Sequence, residues 1–185
     1  MKAGVLALQG DFREHARALS EAGATPVDVR TVADLEMVEC LVIPGGESTT
    51  ISKLARIAGL VEPILERASE GMPIFGTCAG MIVMARRVDG MEPLLSLLDI
   101  TLQRNAYGRQ VDSFEADLSV EGVDHPVRAV FIRAPIVEEV GPDVKVLATH
   151  EGHPVVVEQG GLLAASFHPE LVGETRLHEY FLKKV

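Results

Sequence analysis

Cys78 stands in Gly76-Thr77-Cys78-Ala79-Gly80, between an apolar run that opens at Pro73 and a segment that reads as a helix over Met81 to Arg86. A cysteine on a tight strand-to-helix turn is the setting of a nucleophile elbow, with a thiol where other hydrolases carry a hydroxyl. The flanking glycines let neighbouring backbone pass the turn without a Cβ clash. A helix start just after the cysteine favours the thiolate through free N–H groups and the dipole. The N–H of Ala79 is one natural donor to an oxyanion, and the Gly45-Gly46 loop can offer another. Taken alone, the same five residues also describe a plain turn around a small apolar side chain.

A general base is available near the other end of the chain. Ala164 to Phe167 reads as the end of a strand, and His168-Pro169-Glu170 follows it. Residues two apart on extended chain point the same way, and Pro169 biases His168 towards extended geometry. His168 can then take the thiol proton while Glu170 orients the ring, which is triad logic with glutamate as third member. A surface turn is the rival account of His-Pro-Glu by itself. A metal site on His168 and Glu170 lacks a third ligand at convincing spacing, and His150-Glu151-Gly152-His153 reads better as a polar turn.

The elements that must position these groups alternate. Gly4 to Leu8, Thr25 to Val29, Cys40 to Ile43 and Pro73 to Phe75 read as strands. Helices fit Phe12 to Ala22, a segment capped by Ser48 or Thr49 and running to about Ala58, and Val61 to Glu70. Alternation of this kind implies a parallel sheet with helices on both faces, and ligands in such sheets bind beyond the carboxyl ends of the strands. Gln9-Gly10-Asp11, Pro44 to Ser48 and Gly76 to Gly80 all leave that edge. From there Gln9 can steady the Gly45-Gly46 loop or meet a partner, and a plain turn residue is an equal reading. The second half is richer in strands: Ser113 to Val120, Val127 to Ile132, Val144 to Thr149, Pro154 to Glu158 and Leu162 to Phe167. Short turns between them imply some antiparallel hairpins, and Glu174 to Lys183 reads as a closing helix.

The composition narrows the function. A formal net charge of −10 argues against nucleic acid and anionic membrane surfaces as partners. No apolar run approaches the roughly 20 residues that span a bilayer, and the start lacks a signal peptide's apolar core and cleavage site. A cytoplasmic protein is expected. Two cysteines make no disulfide framework, and Cys40, inside an apolar strand, reads as a small buried hydrophobe. With 185 residues, no repeat and no linker, one domain over 1–185 is expected.

Together the Gly-Gly loop, Gly-x-Cys-x-Gly and His-Pro-Glu resemble the class I glutamine amidotransferases. Further segments resemble one branch, the glutaminase subunits of two-component pyridoxal 5′-phosphate synthases. These are Leu8 to Phe12, Pro44 to Thr50, Phe75 to Met81, Arg104 to Gln110, Ser113 to Asp117, Phe131 to Pro135 and Ser166 to Glu170. The likeness runs from Gly4 almost to the end, and is loose only between Asp89 and Leu98. It implies a flavodoxin-like three-layer α/β sandwich whose central sheet is mainly parallel, with some antiparallel strands in the second half. It implies that Cys78, His168 and Glu170 hydrolyse L-glutamine to glutamate and ammonia without metal or organic cofactor. Gly46, Glu47, Ser48, Arg104, Ile132 and Arg133 would hold the glutamine, with Gly46 and Ala79 as the oxyanion hole. The ammonia would pass to a (β/α)₈-barrel synthase in a large hetero-oligomer, which makes pyridoxal 5′-phosphate from ribose 5-phosphate and glyceraldehyde 3-phosphate. Docking would complete the oxyanion hole by reorienting a peptide of the Gly45-Gly46 loop. The alternatives are the glutaminase of another ammonia-using synthase, a cysteine hydrolase on the same fold, and a non-catalytic binding subunit.

Overall fold

A computed structural model describes residues 1–104 and 113–185. In chain order its elements are β1 (Lys2–Leu6), α1 (Phe12–Glu21), β2 (Thr25–Val29), α2 (Val32–Glu36), β3 (Cys40–Ile43), α3 (Ser48–Ile57), α4 (Val61–Ser69), β4 (Ile74–Thr77) and α5 (Ala79–Met84). The second half carries β5 (Ala85–Val88), β6 (Leu98–Gln103), β7 (Phe114–Leu118), β8 (Val127–Phe131), β9 (Ile136–Val140), β10 (Lys145–His150), β11 (His153–Gln159), β12 (Leu162–Ala165) and α6 (Arg176–Leu182).

Seven strands form the main sheet in the order β10-β11-β12-β4-β3-β1-β2. The five from β12 to β2 run parallel, and β11 is antiparallel to both β10 and β12. Side chains alternate across the sheet and feed two cores. On β3, Leu41 and Ile43 join one cluster, while Cys40 and Val42 join the other. Burial on both faces explains why these strands read as unbroken apolar runs rather than alternating ones. β1 sits between β2 and β3, so the chain reverses direction across the sheet there, and a crevice opens beyond the carboxyl ends.

Two expectations need correction, and two features were not foreseen. The helix read over Met81 to Arg86 spans Ala79–Met84 instead, and Ala85–Val88 turns into β5. Its parallel partner is β6, which pairs in turn with β9 in a separate three-stranded sheet that the sequence reading missed. β6 nevertheless carries the period of two, with Leu98, Ile100 and Leu102 buried and the residues between them half-buried. The cap of α3 is Glu47, whose carboxylate accepts from the Thr49 N–H at 3.2 Å and hydroxyl at 2.9 Å. The short α2 was also unforeseen; a Thr31–Asp34 capping box starts it. No helix among the described residues is long and apolar enough to cross a membrane.

Candidate active site

Four segments converge at the carboxyl edge: Ala7–Asp11 after β1, Pro44–Glu47 after β3, Cys78 after β4, and Ser166–Glu170 after β12. The neighbour relations follow from the ladder. Ala165 pairs with Thr77, Gly76 with Ile43, and the Cys78 N–H donates to the Ala165 carbonyl at 2.8 Å.

Cys78 has φ 47° and ψ −102°, a backbone conformation that side chains rarely adopt. The glycines on either side serve close packing. A Cβ on Gly80 would overlap the Ile43 carbonyl, and one on Gly76 would press on Met84 and on Gly80. The elbow is therefore wedged against β3 and its own helix. Only 6% of Cys78 is exposed; it lines the pocket, and its sulfur lies 3.8 Å from the Ile132 carbonyl.

The His168 N–H donates to the Val130 carbonyl at 2.8 Å, which fixes the backbone against β8. Nδ1 lies 2.8 Å from Glu170 Oε1 and 3.3 Å from Asp11 Oδ2. The ring lies against Gly45, where any Cβ would overlap it. Burial pushes the imidazole down, but Asp11, Cys78 and Glu170 push it up further, to about 12. Glu170 is sealed in the interior. Burial opposes its ionisation, yet His15 and His168 hold it well below the ordinary carboxylate range.

The Gly45-Gly46 loop is tethered on three sides. The Gly45 N–H donates to Thr77 Oγ1 at 3.1 Å, and the Gly45 carbonyl accepts from the Asp11 N–H at 3.1 Å. Gln9 Oε1 accepts the Glu47 N–H at 2.7 Å, so the side chain of Gln9 does brace this loop. Gly46 has φ 151°, and a Cβ there would crowd the Gln9 side chain.

A pocket of about 370 Å³ opens at this edge, a size suited to a small metabolite. Gly46, Glu47, Ser48, Arg104, Ile132 and Arg133 all line it, as do Cys78, Ala79 and His168. Asp11, Ile82 and Leu171 complete the wall and were not anticipated. The Arg104 guanidinium lies 3.8 Å from Glu47 Oε1. Hydrogen bonds from Thr49, with Arg104 and Arg133 nearby, hold Glu47 below its usual range. Met91, in the segment of loosest likeness, touches Ser48 Oγ at 3.8 Å and Arg104 at 3.5 Å. The rest of the Arg104 to Gln110 motif, from Asn105 on, lies outside the described residues.

Asp11 also bears on metal binding. Asp11, His168 and Glu170 each bring a donor atom within 4.8 Å of the others. Asp11 is thus the third group that spacing in the sequence did not offer. A cation there would have to displace the His168–Glu170 hydrogen bond, so the same atoms serve better as an imidazole held by carboxylates. His150 to His153 forms the β10–β11 turn, where His150 stacks on Phe131 with ring centroids 5.4 Å apart.

A buried imidazole–carboxylate pair and a strained cysteine facing a pocket with two arginines fit acyl transfer on a zwitterion. Residues 5–185 match the SNO glutamine amidotransferase family. The chain belongs to that family. It is 58% identical to a protein of Mycolicibacterium vanbaalenii named pyridoxal 5′-phosphate synthase subunit PdxT, covering 97% of this chain and 95% of that one. A protein of the same name from Acidothermus cellulolyticus is 57% identical, covering 100% and 93%. A crystal structure described as a glutamine amidotransferase superposes with a TM-score of 0.94 at 50% identity, over 98% of this chain and 97% of that one.

Proposed function

We propose that the chain is a single glutaminase domain, residues 1–185, which hydrolyses L-glutamine to L-glutamate and ammonia for a pyridoxal 5′-phosphate synthase. The observation that supports this is His168, which shares one pocket with the elbow Cys78 and is held from behind by the buried Glu170, 2.8 Å away.

In this mechanism the Cys78 thiolate attacks the amide carbon of glutamine. The oxyanion is met by backbone N–H groups of Gly46 and Ala79. His168, protonated and held by Glu170, gives its proton to the nitrogen as the C–N bond breaks, and ammonia leaves a γ-glutamyl thioester. Water then attacks the thioester, His168 takes a proton from it, and glutamate departs as the thiol is restored. Arg104 and Arg133 supply cations for the α-carboxylate, and Glu47 an acceptor for the α-ammonium. No step requires a metal or organic cofactor.

Ammonia released to bulk water at neutral pH becomes ammonium and is no longer a nucleophile, so delivery to a docked synthase makes chemical sense. The partner in this proposal is a (β/α)₈-barrel subunit in a large hetero-oligomer. Docking reorients a peptide of the Gly45-Gly46 loop and completes the oxyanion hole. Two free thiols suit a reducing cytoplasm. The test is glutamate release from glutamine by the purified chain, with and without the barrel synthase, using Cys78→Ala as the blank. Release that rises with the synthase and vanishes in the variant is expected. No release with the synthase present would sink the enzyme assignment.

A further inference from the structure

Behind the site lies a group that the mechanism does not use. His15 on α1 is fully buried, and its ring nitrogens reach Thr77 at the end of β4, Glu170 after β12 and His178 on α6. Its Nε2 is 2.9 Å from Thr77 Oγ1 and 3.4 Å from Glu170 Oε1. Thr77 immediately precedes Cys78, and its Oγ1 also accepts the Gly45 N–H. On the other side of the ring, Nδ1 is 2.9 Å from Nε2 of His178 on α6, which is also fully buried.

Proton allocation limits what this imidazole can do. An ionised Glu170 only accepts, so a lone pair on His15 Nε2 would face it unfavourably at 3.4 Å. That nitrogen therefore carries a proton. His15 Nδ1 and His178 Nε2 then share one proton between them. Burial, and His15 beside it, hold His178 down at about 3, so His178 is neutral. We propose that His15 is a positioning residue of the hydrolase site: its Nε2–H holds the Glu170 carboxylate in the orientation His168 needs and links it through Thr77 to the Gly45 loop. The inference rests on the glutaminase reading of Cys78, His168 and Glu170.

The groups that face Glu170 come from every neighbouring element. His15 approaches from α1, Asp11 from the turn before it, His168 from the end of β12 and His178 from α6. Across a second cavity stand Glu14, Arg17 and Glu21 of α1. Of these, His15 gives Glu170 its strongest push towards the ionised form. Without it, a buried carboxyl regains protons at higher pH, and His168 loses its anionic partner beside Cys78.

The experiment compares His15→Leu, which keeps bulk without nitrogen, with His15→Gln, which keeps an N–H donor. One readout is the pH profile of Cys78 alkylation by iodoacetamide. The other is kcat and KM for glutamate release by the chain docked on the synthase. In His15→Leu the acid limb of alkylation is expected about one pH unit higher, and kcat about tenfold lower with KM little changed. His15→Gln is expected to restore both. Equal behaviour of Leu and Gln, with the acid limb unmoved, would overturn the proposal by reducing His15 to a space-filling role. Should His15→Leu not fold, His178→Phe keeps a ring against Phe75 and removes the outer nitrogen. It is expected to shift the limb the same way by less, and an unmoved limb there overturns the proposal too. Alkylation needs no glutamine. A wild-type chain that alkylates but releases no glutamate would thus fail the glutaminase reading while the variants still decide the role of His15.

Discussion

The two cysteines stand at opposite ends of two neighbouring parallel strands in one sheet. Cys40 is the first residue of β3; Cys78 follows the last residue of β4. Both are buried, and neither is disulfide-bonded. Cys40 is packed among apolar side chains, and burial, with Glu39 adding to it, pushes its thiol up to about 12. Cys78 has a strained backbone, a pocket in front of it and a histidine with two carboxylates beside it. The same side chain is inert at the amino edge and placed for chemistry at the carboxyl edge. What separates them is which end of a parallel strand they occupy, because only there do four loops converge.

The sharpest way to break that contrast is to remove the reactive sulfur. Cys78→Ala is expected to lower glutamate release by about 10⁴-fold or more, the scale on which a nucleophile acts. A variant retaining a tenth of the activity would show that Cys78 is not the nucleophile. Next comes the wall behind the base. A Cβ in Gly45→Ala would overlap the His168 ring, and the loop it belongs to is tethered to Asp11, Thr77 and Gln9. Loss of about 10²–10³-fold in kcat is expected, as when an oxyanion donor is displaced. Steady-state assay of the folded variant checks it.

Glu170→Gln keeps a hydrogen-bond acceptor at His168 Nδ1 but removes the charge, and a loss of about 10²-fold is expected. The variant also has a pH signature. Glu170 is depressed in the fold, so its stabilising contribution is present above about pH 4.3 and is lost as the pH falls through the lower folded value. His168 is raised, so its contribution is complete below about pH 6.5 and fades only as the pH climbs towards about 12. Thermal melts of the wild type should therefore lose Tm below about pH 4, and Glu170→Gln should flatten that acid slope. An unchanged slope would mean that the pair does not hold the fold together.

At the open end of the pocket the expected effects are on binding. Arg104→Ala should raise KM for glutamine about tenfold and change kcat little, since one charge-assisted hydrogen bond is lost from ground and transition state alike. An equal fall in kcat would place Arg104 in the chemical step instead.

Much of this contrast was legible before any coordinates. Gly-x-Cys-x-Gly and His-Pro-Glu are local signatures, and unbroken apolar runs such as Cys40 to Ile43 mark strands buried on both faces. The six positions carried over by resemblance all line the pocket. What stayed hidden depends on contacts distant in sequence. His15 falls at helical spacing with Phe12 and Leu19, so its inward direction was readable. That it meets Thr77, Glu170 and His178 was not. Asp11 reads as a turn residue, and only the folding of β1 beside β3 carries it towards His168. β5, β6 and β9 were missed although β6 alternates over six residues, because the partner that makes it a strand, β9, lies across the second half of the chain.

The mildest perturbation tests the inert member of the pair. Cys40→Ala removes one sulfur from a packed strand start and leaves a small void. A cost of about 1–2 kcal/mol in unfolding free energy is expected from lost packing. Activity should not change, because Cys40 lies at the far edge of the sheet from the pocket. Iodoacetamide should modify the wild type and Cys40→Ala to the same extent near neutral pH, since a buried thiol pushed up to about 12 offers almost no thiolate there. Mass spectrometry that found Cys40 alkylated in the native wild type would show that β3 opens at its amino end. It would also show that position along the strand does not by itself keep a cysteine silent.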